Sequence, residues 1–195
     1  MMDSSKQGRE ENDTTRVVVV SYSLTGNNDA LAASIASAFQ AEHIRITESR
    51  RRTNGTIALD MLLNRTPKVN TEVDSVKDSD FVIFVGPVWM GHVASPLRAC
   101  FKRLKDRLDR YAFVSISGGA DGPNPKLAHE LKKRVGKEPV ALIDLHIADL
   151  LPSDPKPTRE DTSSYRLTEK DLRALTDTAM ETLQDALTTV KLEGS

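Results

Sequence analysis

Four consecutive valines, Val17 to Val20, constrain this chain more than any other feature of it. A short β-branched run bounded by Arg16 and turn residues reads as a strand buried on both faces, so it needs a covering layer on each side. Directly after it, beyond Gly26, residues Leu31, Ile35, Ala38 and Phe39 fall at helical spacing. Asn27 to Asp29 are expected to supply cap chemistry at that helix start. A buried strand feeding an amphipathic helix is the first half of a parallel strand-helix-strand unit.

The alternation continues. Strands are expected at His43 to Thr47, Phe81 to Val85, Tyr111 to Ile116 and Val140 to about Leu150. Helices are expected from Ser95-Pro96 through about Leu108, over Asn124 to Val135, and from about Thr168, where Thr168-Glu169-Lys170-Asp171 has the pattern of a capping box. Five strands alternating with helices predict an α/β fold, a doubly wound and mostly parallel sheet with helices on both faces. Two stretches break the rhythm. Glu48 to Ser79 is expected to hold an extra short helix near Ile57 to Leu63, and Leu151 to Leu167, with three of the nine prolines, reads as an irregular surface excursion.

A chain of 195 residues suits one sizeable core. Residues 16–190 are therefore taken as a single domain, 1–15 as a disordered polar tail and 191–195 as a short tail of the kind cloning leaves. No run approaches the roughly 18 apolar residues of a membrane span. The single cysteine, Cys100, excludes an internal disulfide framework and points to a reducing, cytoplasmic setting. Within the first fifteen residues Lys6 and Arg9 face Asp3, Glu10, Glu11 and Asp13, so the remainder of a chain of net charge −1 is close to neutral. Neither a nucleic-acid footprint nor a strongly acidic docking surface follows from that balance.

In such sheets ligands bind beyond the carboxyl ends of the strands, where the strand order reverses. After strand one comes Ser23-Leu24-Thr25-Gly26-Asn27-Asn28, with two hydroxyls, a glycine and two amides at a helix start. Backbone N–H groups there, with the Ser23 and Thr25 hydroxyls, form an anion cradle that needs no cationic side chain. The chemistry is narrowed by what is absent. There is no GxxxxGK[ST] for a triphosphate, no GxGxxG for a pyrophosphate, no cysteine in the first loop for a thiolate phosphatase, and no aspartate ending strand three. A monophosphate fits best.

These residues resemble the flavodoxin family, whose first loop, [ST]-x-T-G-N-[ST], wraps the phosphate of FMN; Asn28 stands here where the last hydroxyl would be. The family's second loop commonly reads Pro-x-Trp-x-x-Gly, and Pro87-Val88-Trp89-Met90-Gly91 matches it with the glycine one position early. The resemblance implies strand order 2-1-3-4-5, FMN as cofactor, a phosphate held by the first loop, and Trp89 stacked on the isoalloxazine ring. It also implies that Val88, Met90, Gly91, Ser117, Gly118 and Gly119 line the ring's polar edge. His92 is a candidate donor to the ring or an acid beside the substrate, against the plainer reading of an exposed loop histidine. Ser115 to Gly122 holds no aromatic, so no second aromatic wall is expected.

Other features have plainer readings. Cys100, among Leu97, Phe101 and Leu104, reads as a small buried hydrophobe. Arg50-Arg51-Arg52 is read as a solvated run rather than a contact for the 2′-phosphate of NADPH. His43, His129 and His146 lack metal-ligand spacing, and no metal is expected. The expected function is that of an FMN-binding redox protein, passing electrons from NAD(P)H or a protein donor to a quinone or other acceptor, with the chain supplying binding, orientation and electrostatics. A single-electron carrier between proteins and a non-catalytic flavin-binding sensor are the alternatives. Whether it is an enzyme, and its oligomeric state, stay open at this level.

Overall fold

The computed structural model describes residues 15–48, 69–70, 75–89, 91–105 and 107–193. The valine run forms β1 (Val17–Ser21), and α1 (Asn27–Phe39) follows it. Next come β2 (Glu42–Arg45), β3 (Thr47–Glu48), β4 (Val69–Asn70), a 3-10 turn at Ser75–Asp78, and β5 (Phe81–Val85). Then β6 (Val88–Trp89) and β7 (His92–Val93) precede α2 (Ser95–Leu104), β8 (Tyr111–Ser117) and α3 (Leu127–Val135). The chain continues through β9 (Ala141–His146), a 3-10 turn at Ile147–Leu150, α4 (Arg159–Ser164) and α5 (Glu169–Glu193).

Five strands make one parallel sheet, ordered β2-β1-β5-β8-β9. Counting only its own strands this is 2-1-3-4-5, the order the resemblance implies. The chain steps outward from β1 to β2 and returns past β1 to β5, and the order reverses there. Side chains alternate across the sheet as strand geometry requires. Val18, Val20, Val82, Phe84 and Phe113 pack with Leu97, Cys100, Phe101 and Leu104 of α2 and Leu127, Leu131 and Val135 of α3. Val17, Val19, Ile83, Val85 and Val114 pack on the other face with Leu31 and Ile35 of α1 and Leu175, Ala179 and Leu183 of α5. This is why the valine run is unbroken: both sides of β1 are core. Fully burying one such side chain is worth about 1.5–3 kcal/mol.

Several boundaries differ from the sequence reading. The second strand splits, because β3 leaves the sheet to pair antiparallel with β4. The strand after Val140 stops at His146, α2 ends four residues earlier than expected, and α3 starts at Leu127 rather than Asn124. The excursion at 151–167 holds a helix, α4, closed by a capping box between Thr158 and Asp161. The expected helix at 57–63, the triple arginine at 50–52 and the first fourteen residues lie outside the described residues. Among the described residues no helix is long and apolar enough to cross a membrane.

Candidate functional site

The first loop ends in a helix start that no side chain caps. Gly26 occupies the N-cap with φ +97°, a left-handed conformation that suits glycine, and no side-chain cap bond is made there. The first intrahelical bond runs from Ala30 N–H to the Gly26 carbonyl at 2.9 Å, so the N–H groups of Asn27, Asn28 and Asp29 precede the ladder. Ser23 shapes the turn: its Oγ accepts the Gly26 N–H at 3.0 Å, and its own proton remains a donor.

The two asparagine amides, expected at the anion, are engaged elsewhere. Asn27 Nδ2 donates to the Tyr165 carbonyl at 3.0 Å, and its Oδ1 accepts from Leu167 N–H at 3.3 Å. Asn28 pairs with the backbone of Ile116 in both directions. Both are buried, because each satisfies backbone groups that the sheet and the excursion leave unpaired at their ends. What these residues offer a ligand is their backbone N–H.

The second loop is a hairpin, not an open loop. β6 pairs antiparallel with β7, which places Trp89 opposite His92. Met90 lies outside the described residues. Trp89 is half-buried, and Tyr22 meets its ring edge-on at a centroid distance of 6.0 Å and 83°. His92 does not line the cleft; its Nδ1 stands 3.4 Å from Oε1 of the buried Glu130 on α3, which Arg134 also holds at 3.0 Å. That imidazole is paired with a carboxylate on α3 and not directed to the site.

The third loop, Ser117-Gly118-Gly119, is packed from outside the sheet. A Cβ on Gly118 would come within 2.9 Å of Thr162 Oγ1, and one on Gly119, whose φ is +73°, would overlap the His146 ring. Thr162 belongs to α4, so the proline-containing excursion folds back over this loop. Arg159, at the start of α4, pairs with Asp121 at 2.7 Å.

Together these segments enclose a cleft of about 770 Å³ beyond the carboxyl ends of β1, β5 and β8. Leu24, Thr25, Asn27 and Asn28 line it from the first loop. Pro87, Val88, Trp89 and Gly91 line it from the second, and Ser117, Gly118 and Gly119 from the third. Ser23 and Gly26 shape the rim without lining it. The volume suits a drug-sized or nucleotide-sized ligand. Leu24, 43% exposed, and Trp89 give it apolar surface. Asn124 adds a polar atom: its Nδ2 is buried without a hydrogen-bond partner among the described residues. Among the described residues that line it only Asp121 and Arg159 ionise, and they neutralise each other.

Arg159, Thr162, Ser163 and Asn124 line the cleft without having been picked out from the sequence. One usable signal was present. Thr158-Arg159-Glu160-Asp161 carries the threonine and third-position acid of a capping box, the same pattern that marks Thr168.

No protein-family model matches the sequence, and no curated protein does. Solved structures do match. A flavoprotein of Lactobacillus acidophilus in complex with FMN superposes with a TM-score of 0.59 at 19% identity, over 67% of this chain and 93% of that one. The apo-form of the flavoprotein from that organism gives 0.54 at 16% identity, over 69% and 95%. A flavodoxin, WrbA-like protein of Agrobacterium tumefaciens gives 0.50 at 12% identity, over 89% of this chain and 98% of its own. Likeness at these identities speaks to architecture, and with the observed strand order it gives the chain a flavodoxin-like α/β fold.

Proposed function

We propose that the cleft binds FMN and that the protein is a flavodoxin-like redox protein. The observation that carries this is the cleft itself, which gathers an uncapped helix start, a tryptophan and a glycine-rich third loop at the point where the strand order reverses. The residues present fit the cofactor. The N–H groups at the start of α1, with the Ser23 and Thr25 hydroxyls, supply donors for a phosphate without a cationic side chain. Trp89 and Leu24 supply apolar surface for a ring, and the unpartnered Asn124 Nδ2 supplies a donor suited to a carbonyl-rich ring edge. Bound FMN would supply the one- or two-electron chemistry.

The chain's part is to hold and shield. Asn28 fixes the first loop against the end of β8, the β6-β7 hairpin presents Trp89, and α4 covers the third loop. No side-chain nucleophile is required. The charge of the cleft favours a small-molecule partner over a protein one. Asp121 and Arg159 cancel, so the described lining residues give the mouth no single-signed field of the kind that steers a charged protein partner. We assign the protein to electron transfer from NAD(P)H or a protein donor to a quinone or another small acceptor, in the cytoplasm.

A fluorescence-quenching titration tests the assignment. FMN is expected to bind far more tightly than riboflavin, since hydrogen bonds to a charged group contribute about 1.5–3 kcal/mol each. Thr25→Ala should weaken FMN and leave riboflavin unchanged. Equal dissociation constants for the two flavins would overturn the phosphate cradle.

A further inference from the structure

We propose that Arg159 is the anion-recognising residue of the cleft, and that it selects a second, small-molecule substrate carrying an oxyanion such as a phosphate, carboxylate or sulfonate. The inference rests on the FMN reading and adds the chemical class of what enters beside the cofactor.

Three observations support it. First, Arg159 is the only cation among the described residues lining the cleft. Second, its present partner is a replaceable one. Its Nε and Nη2 both reach the same oxygen, Asp121 Oδ2, at 3.0 and 2.7 Å, so the two-oxygen fork that makes such pairs strong is not formed. The side chains are 83% and 72% exposed, where water and salt weaken the pair further. Third, the backbone that carries Arg159 is fixed. The Thr158–Asp161 box closes the start of α4, Thr162 is buried against Gly118, and Asn27 holds the carbonyl of Tyr165 just beyond the helix. A planar guanidinium on an anchored helix, released from a weakly held carboxylate, suits bidentate recognition of an incoming oxyanion. Asp121 then acts as an internal competitor that keeps the site neutral until the oxyanion arrives.

The test uses the full chain loaded with FMN, with Arg159→Gln and Asp121→Asn variants, and reads equilibrium binding by calorimetry. NADP+ probes an anionic donor, naphthoquinone sulfonate an anionic acceptor, and unsubstituted naphthoquinone is the uncharged control. Arg159→Gln is expected to weaken one or both anions by about tenfold and leave the control unchanged. Asp121→Asn is expected to tighten the same anion. Which anion responds identifies the donor or the acceptor as the source. The proposal fails if charged and uncharged ligands respond alike, if Asp121→Asn weakens the anion, or if neither anion binds the native protein. It also fails if Arg159→Gln weakens FMN relative to riboflavin, which would give Arg159 to the cofactor's phosphate. If the native protein takes up no FMN, the cofactor reading falls, and anion binding by the flavin-free chain, lost in Arg159→Gln, would still uphold the arginine site.

Discussion

Asn28 and Ile116 exchange two hydrogen bonds through one side chain: Nδ2 donates to the Ile116 carbonyl at 2.8 Å, and Oδ1 accepts its N–H at 3.0 Å. The pair joins the first turn of α1 to the end of β8, two strands away from β1 in the sheet. Asn28→Ala should therefore act on the fold. It would leave a backbone donor and acceptor buried without partners, at about 1–3 kcal/mol each. The expected result is an unfolding free energy lowered by that amount, read as a lower denaturation midpoint with an unchanged m-value. A midpoint equal to the native protein's would show that water can replace the amide.

Stability should fall as pH drops below 6.5, the ordinary histidine value. His43 Nε2 lies 2.8 Å from the buried Ser21 Oγ, and burial, with the Arg45 charge, lowers its pKa against a smaller opposing pull from Asp29. As pH falls through 6.5 the unfolded chain takes up the proton first, so the folded state loses stability until its own lowered value is reached. Denaturant titrations at about pH 7.5 and pH 5.5 should show the loss, and His43→Gln should reduce it. A pH dependence unaltered by that substitution would place its origin elsewhere.

Two glycines should differ in cost. At Gly26 a methyl group would meet nothing within 4 Å, so Gly26→Ala carries only the backbone penalty of a positive φ, about 1–2 kcal/mol. At Gly119 the same penalty is joined by overlap with His146. Thermal unfolding should rank Gly119→Ala as the more destabilising, and the reverse order would mean that His146 moves aside freely.

Much of the architecture was legible because it rests on local patterns. The valine run announced a strand buried on both faces, and Thr168 announced its helix through the acid at Asp171, whose carboxylate accepts from the Thr168 hydroxyl at 2.7 Å. That a cleft would lie at the ends of β1, β5 and β8 was also readable, since the ends of parallel strands are predictable places. Long-range pairings were not readable. Nothing near Asn27 in sequence indicates Tyr165, 138 residues away, and nothing near His92 indicates Glu130. The hairpin at Val88 to Val93 was hidden by its length, because two residues per strand give no alternation to detect.

Cys100 should be inert in the folded protein. It is fully buried in the α2 layer, and burial pushes its thiol up to about 12, so almost no thiolate exists at neutral pH. An alkylating reagent should modify it only as fast as the chain unfolds. Rapid labelling under native conditions would reveal local opening of α2.

Substitutions at Trp89 test the proposed ring contact separately from the proposed phosphate contact. Its indole is held by Tyr22 edge-on at 6.0 Å and by the cross-strand position opposite His92, so its place at the cleft is set before any ligand arrives. If FMN binds as proposed, removing the indole takes away aromatic stacking, about 0.5–1.5 kcal/mol, together with apolar contact. Trp89→Ala should therefore weaken FMN and riboflavin by a similar factor, about tenfold, whereas Thr25→Ala should act on FMN alone. Trp89→Phe, which keeps a smaller aromatic face, should fall between the native protein and the alanine variant. Titrating both flavins against all three variants separates the two halves of the site: a Trp89→Ala protein that unfolds more easily yet binds both flavins as the native chain does would make the indole a support for the hairpin and not a wall of the cleft.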